Sequence, residues 1–113
     1  MHMTLTSSAS EQLAKRLGGH PGTLRLVYDS EGCGCAVDGV AALWITGAPE
    51  NGDVSVADGP PAGIWIDPRQ LIFFEDNVKL DYREHARSFR LYSDNQIYSG
   101  SLSVIDRRPA PIV

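Results

Sequence analysis

The chain has no apolar run approaching the ~20 residues that a membrane-crossing helix needs, and no charged-then-apolar leader arrangement at its start. Membrane association and export are therefore not expected. Basic residues are in deficit, with Lys+Arg 10 against Asp+Glu 14 for a net charge of −4, and no basic stripe interrupts that balance. A nucleic-acid partner is excluded on that ground. Catalytic signatures are missing as well: there is no Gly-x-Ser-x-Gly elbow, no phosphate loop and no His-Glu-x-x-His. Glu75-Asp76 is a carboxylate pair flanking a turn, without a partner acid or base at a distinctive spacing. The expectation is a non-enzymatic protein. Cysteine is scarce, two in 113 residues, too few for a disulfide framework, so a reducing cytoplasm is the default compartment.

What is present is globular in character. Apolar residues make up 42% and charged residues 21% of a length suited to a single domain, 1–113, with a core over about 4–106 and a flexible tail over 107–113. Thr4-Leu5-Thr6 reads as a short strand, and Ser7 or Ser8 caps a helix that runs to Leu17 and stops at Gly18-Gly19. Leu24–Tyr28 alternates as a half-buried strand. Val40–Ile45 is apolar on both faces and marks a central strand, with Trp44 in the core. Val54-Ser55-Val56 lies within a Gly/Pro/Asp-rich stretch and suits an edge strand, and Ile64-Trp65-Ile66 a buried one. Asp67-Pro68 opens a short helix to about Phe73, a stretch that packs and carries no chemistry. Val78–Tyr82 and Ser88–Tyr92 form a hairpin with His85 exposed at its tip, and Ser101–Ile105 closes the sheet. The pattern predicts a mainly β protein with one or two short helices, an α+β chain.

The chemistry concentrates between the strands ending at Tyr28 and beginning at Val40. Asp29-Ser30-Glu31-Gly32-Cys33-Gly34-Cys35-Ala36-Val37-Asp38 holds both cysteines, one residue apart, with glycines before and between them. In extended backbone, side chains at i and i+2 share a face, so two sulfurs can converge on one centre. A closed tetrahedral site needs four ligands and one chain offers two thiols. Three readings stand: half of a four-thiolate site completed by a second copy, part of a labile iron or iron-sulfur site with other ligands, or two inert thiols in a turn. Asp29, Glu31 and Asp38 disfavour a low-pKa redox nucleophile, because nearby carboxylates stabilise the neutral thiol. A metal ion brings its own positive charge and suits the same surroundings.

These residues resemble a known family. Leu24-Arg25-Leu26-Val27-Tyr28-Asp29-Ser30-Glu31-Gly32-Cys33-Gly34-Cys35, then Val37-Asp38-Gly39-Val40 and Leu43-Trp44, are similar to the short HesB-like branch of the iron-sulfur cluster biosynthesis (A-type carrier) superfamily. Ile66-Asp67-Pro68-Arg69-Gln70, Leu80-Asp81-Tyr82 and Ser88–Ile97 fit the same pattern. The resemblance implies a small HesB-like β-sandwich of mixed and antiparallel strands that handles iron or a [2Fe-2S] cluster. It makes Cys33 and Cys35 the cofactor and metal ligands, with Asp29, Glu31 and Asp38 either arranged around them or plain surface charge. The implied partners are a second copy of the chain and iron-sulfur assembly or recipient proteins. Full carriers also have a Cys-Gly-Cys near the C-terminus, and where it would fall this chain reads Tyr98-Ser99-Gly100-Ser101. The rival expectations are a cofactor-free interaction or regulatory module on the same scaffold and, third, a dithiol redox protein.

Overall fold

A computed structural model describes residues 1–18, 22–29, 40–59 and 62–108, excluding the side chains of Asp29 and Val40. The elements run β1 (His2–Leu5), α1 (Ser7–Leu17), β2 (Thr23–Asp29), β3 (Val40–Thr46), β4 (Val54–Ala57), β5 (Ile64–Ile66), a 3-10 helix (Pro68–Phe73), β6 (Asn77–Arg83), β7 (Ser88–Tyr92) and β8 (Ile97–Asp106). No helix among the described residues is long and apolar enough to cross a membrane.

The strands form one eight-stranded sheet in the order β1-β6-β7-β8-β3-β2-β5-β4. Three neighbouring pairs are parallel, β1 with β6, β2 with β5 and β3 with β8, and the rest are antiparallel. The outer strands β1 and β4 come together, so the sheet curls nearly into a barrel. This corrects the expected sandwich of two sheets, while the mainly β, α+β class holds. The reason is the length of β8. Its first half pairs with β7 (Phe89 with Leu102, Tyr92 with Ile97) and its second half with β3 (Ala42 with Ser103, Ile45 with Asp106), which joins two half-sheets edge to edge. The sequence reading saw only Ser101–Ile105, because Ser99-Gly100-Ser101 breaks the apolar alternation. The register slips twice along the β7–β8 ladder, between Leu102 and Ser99 and between Ser99 and Ile97, as bulges do where a strand bends.

The core fills the concave side. Leu24, Leu26, Leu43, Ile45, Ile64, Ile66, Leu80 and Leu91 are fully buried, and α1 adds Ala9, Leu13 and Leu17 to the same cluster. Thr6, not Ser7 or Ser8, is the N-cap, and its hydroxyl accepts from the Ala9 amide at 3.3 Å. Gly18 ends the helix at φ 66°, a left-handed position that suits glycine. β1 starts earlier than expected, and Met3 is buried within it.

Trp44 is not in the core. Leu43 and Ile45 face inward, so Trp44 lies on the opposite face, half-buried, with the Arg107 guanidinium 4.3 Å from its ring centre. Arg107 and Arg108, placed in the tail by the sequence pattern, are tied to the fold. The Arg107 amide donates to Ile45 O at 2.8 Å, and the Arg108 guanidinium donates to Leu17 O at the end of α1 at 3.0 Å. Residues 109–113 lie outside the described residues.

Candidate functional site

Cys33 and Cys35, with Glu31 and Asp38, lie outside the described residues, and of Asp29 only the backbone is described. Their anchors are well placed. Asp29 and Val40 are the last register pair of the β2–β3 ladder, so the connection 30–39 leaves and re-enters the sheet at one rung. Continuing the parallel β3–β8 register back from Ala42 and Ser103 brings Ser101 level with Val40. Ser99-Gly100-Ser101 therefore sits in the sheet at the foot of the cysteine connection.

Three other segments meet at this end. β5 stops at Ile66, opposite Leu26, which leaves Tyr28 with no strand on that edge among the described residues. Gln70 of the 3-10 helix fills the gap. Its Oε1 accepts from the Tyr28 amide at 3.0 Å and its Nε2 donates to Tyr28 O at 3.2 Å, so one side-chain amide takes the place of the next ladder rung. The Phe73 ring stacks on Tyr28 with centroids 4.2 Å apart and planes 13° apart, and Phe74 meets Tyr28 edge-on at 6.1 Å. Asp67 caps the helix by accepting from the Arg69 amide at 2.9 Å, and its hydrogen bonds with Arg69 hold its carboxyl down at about 2.

The expectation that this helix simply packs needs correction. None of its residues is fully buried, and Ile72 is 84% and Phe73 46% exposed. With three residues per turn, Leu71 and the following Phe74 fall on the inner edge and Ile72 points out.

Beyond Phe74 the chain enters a polar knot. The Glu75 amide donates to the Tyr98 hydroxyl at 2.8 Å, while its carboxylate accepts from Ser93 Oγ, from Asn95 Nδ2 at 2.6 Å and from Gln96 Nε2 at 3.4 Å. Those donors, Ser93 foremost, hold the Glu75 carboxyl below the ordinary glutamate range. Glu75 thus ties the exit of the 3-10 helix to the β7–β8 turn, and Tyr98 packs on Phe74 at 5.1 Å. A shallow acidic cleft of about 460 Å³ opens beside the knot, lined by Phe74, Glu75, Asp76, Asn77, Asp94 and Asn95.

His85 is not brought to this end. It is exposed in the β6–β7 turn, which continues past the Phe89–Leu102 pair in the direction opposite to the cysteine connection. Among the described residues no group of three or more His, Cys, Asp or Glu side chains could hold a metal ion. Sequence reasoning missed Gln70 and the Glu75–Tyr98 knot. Only the resemblance touched Gln70, and no periodicity marks an amide that substitutes for a strand.

A family model described as iron-sulphur cluster biosynthesis matches residues 1–106. The chain is 34% identical over 110 residues to the uncharacterized protein YqkB of Bacillus subtilis (strain 168), which covers 93% of this chain and 98% of that protein. Its fold is similar to that of a candidate Fe-S biosynthesis protein from Lactobacillus salivarius, with TM-score 0.76 at 18% identity over 96% of this chain and 100% of that one. IscA crystallised with the [2Fe-2S] cluster gives TM-score 0.62 at 23% identity over 82% and 83% of the two chains. At such identities the two structures speak for the fold, and the family match and YqkB for kinship. The chain belongs to the iron-sulphur cluster biosynthesis family.

Proposed function

We propose that this protein is a non-enzymatic participant in iron-sulfur cluster assembly or transfer, which takes iron or a [2Fe-2S] cluster as cargo on Cys33 and Cys35. The observation that carries the reading is the match of residues 1–106 to a family described by cluster biosynthesis, and it is supported by the sequence, which sets both thiols between Asp29 and Val40, the last rung of the β2–β3 ladder. The donor chemistry fits a soft metal, since thiolates are the usual ligands of such clusters. Two thiols per chain supply half of a four-thiolate set, and a second copy supplies the other half.

A second reading, an interaction module without cofactor, is favoured by one feature. Ile72 and Phe73 form an exposed apolar pair on the helix that contacts Tyr28, as a docking surface would. Anaerobic reconstitution with iron and sulfide separates the two. Charge-transfer absorption with stoichiometric iron, lost in Cys33→Ser/Cys35→Ser, supports cluster handling. Wild-type protein that stays colourless with both thiols reduced overturns it in favour of the module.

A further inference from the structure

We propose that the 3-10 helix and the acidic cleft behind it form one docking surface for a basic, apolar-anchored segment of a partner protein. An apolar side chain of that segment seats on Ile72 and Phe73, and a Lys or Arg a few residues away enters the cleft lined by Glu75, Asp76 and Asp94. The inference rests on the exposed pair being a docking surface, names its occupant, and holds whether or not Cys33 and Cys35 carry cargo.

Ile72 is 84% and Phe73 46% exposed, on a helix with no fully buried residue. Large apolar side chains left in water add little to folding, whereas covering them on binding is favourable. These two are also held still. Phe73 stacks on Tyr28, Gln70 binds both main-chain groups of Tyr28, and the Glu75 amide ties the helix exit to the Tyr98 hydroxyl at 2.8 Å. A partner therefore meets a fixed surface, and little freedom is lost on this side when it binds. The pair is continuous with the cleft: Phe73, Tyr28, Phe74 and Tyr98 form a row of rings at 4.2, 6.1 and 5.1 Å, and Phe74 lines the cleft.

Charge along this row selects the partner. Upstream, Arg69 is already matched by Asp67 at 2.7 Å. Downstream, Glu75, Asp76 and Asp94 line the cleft against one cation among the described residues, Lys79, which reaches Asp94 at 3.9 Å. The Glu75 carboxylate accepts from neutral donors, Ser93, Asn95 and Gln96, and so keeps its charge. The surface thus pairs an apolar anchor point with an excess of negative charge, and a segment carrying an apolar side chain and a cation complements both. A second copy is a poorer match, because a two-fold contact meets each patch with the same apolar and acidic groups and neither cleft gains the cation it lacks. A membrane surface is poorer still, since the same carboxylates repel anionic headgroups.

Random peptides displayed on phage, selected against the immobilised, metal-free full chain, test the proposal without a partner in hand. Ile72→Ser serves as the control, because a side chain so exposed can be replaced without loss of the fold. Enriched peptides are expected to carry a large apolar residue with Lys or Arg a few positions away. An enriched peptide made synthetically should bind Ile72→Ser at least about tenfold more weakly than wild type, and Asp76→Asn/Asp94→Asn about threefold or more weakly, with affinity falling as salt rises. No enrichment over the unselected pool, enrichment of acidic or uncharged peptides, or binding that Ile72→Ser leaves intact overturns the proposal. Self-association in analytical ultracentrifugation that Ile72→Ser abolishes also overturns it, by assigning the pair to a second copy. Sedimentation with phosphatidylcholine/phosphatidylglycerol vesicles that Ile72→Ser abolishes does the same in favour of a membrane. Iron reconstitution answers the cargo question separately, so either reading can fail alone.

Discussion

The stacked pair Tyr28–Phe73 gives a quantitative test of how firmly the 3-10 helix is seated on β2. An aromatic pair in contact is worth about 0.5–1.5 kcal/mol beyond its buried area. Phe73 remains 46% exposed, so water competes with the stack and the lower half of that range applies, about 0.5–1 kcal/mol. Tyr28→Leu retains an apolar side chain against the core but loses the parallel stack at 4.2 Å and the edge contact to Phe74 at 6.1 Å. The expected cost is about 1–2 kcal/mol in urea unfolding at unchanged m, or a lowering of Tm by about 5 °C per kcal/mol for a domain of this size. Because Tyr28→Leu also changes burial, the decisive quantity is the coupling energy from a cycle with Phe73→Leu. A coupling of about 0.5–1 kcal/mol is predicted. Additive single mutants, with coupling indistinguishable from zero, would refute the idea that the helix is held to β2 through this pair.

Four further outcomes follow from the geometry. Thr6→Val removes both the cap of the Ala9 amide and the 2.7 Å donor to Asp81, and thermal or urea unfolding should register about 1–2 kcal/mol of lost stability. The Thr6 hydroxyl, with Ser8, holds the Asp81 carboxyl below its ordinary range. Since the folded value is depressed, its contribution is present above the unfolded value of about 3.9 and fades as pH falls through the folded value, so the stability deficit of Asp81→Asn should shrink below about pH 4. Gly100→Ala should be tolerated within about 0.5 kcal/mol, because a Cβ there meets nothing within 4 Å. Gly59→Ala should cost about 1–3 kcal/mol, since φ is +96° and the new Cβ would stand 3.0 Å from Ala62 O.

Much of the fold was legible because side-chain alternation is a local property. Val78, Leu80, Phe89 and Leu91 are buried between exposed or half-buried neighbours, and the hairpin they form is the one the pattern predicts. The closure of the sheet was not legible. It depends on β8 changing partners near Gly100, a long-range event that a stretch of serines and glycine does not announce. Trp44 misled for a related reason: a strand apolar on both faces is central, as β3 is, but Trp44 lies on the face away from the core cluster, with the Arg107 guanidinium over its ring. At the candidate site the cysteine spacing marked the segment, and resemblance supplied its meaning. Gln70 and the Glu75 knot stayed hidden because their roles are set by where β5 ends and where β7 turns. Single polar residues inside short irregular segments carry no period to read.

The most direct measurement of the central claim is native mass spectrometry of the anaerobically reconstituted protein beside Cys33→Ser and Cys35→Ser. The account predicts a species of two chains plus one [2Fe-2S] cluster that disappears with either substitution. A metal-free chain under those conditions, or cargo retained undiminished after both cysteines are replaced, would contradict it.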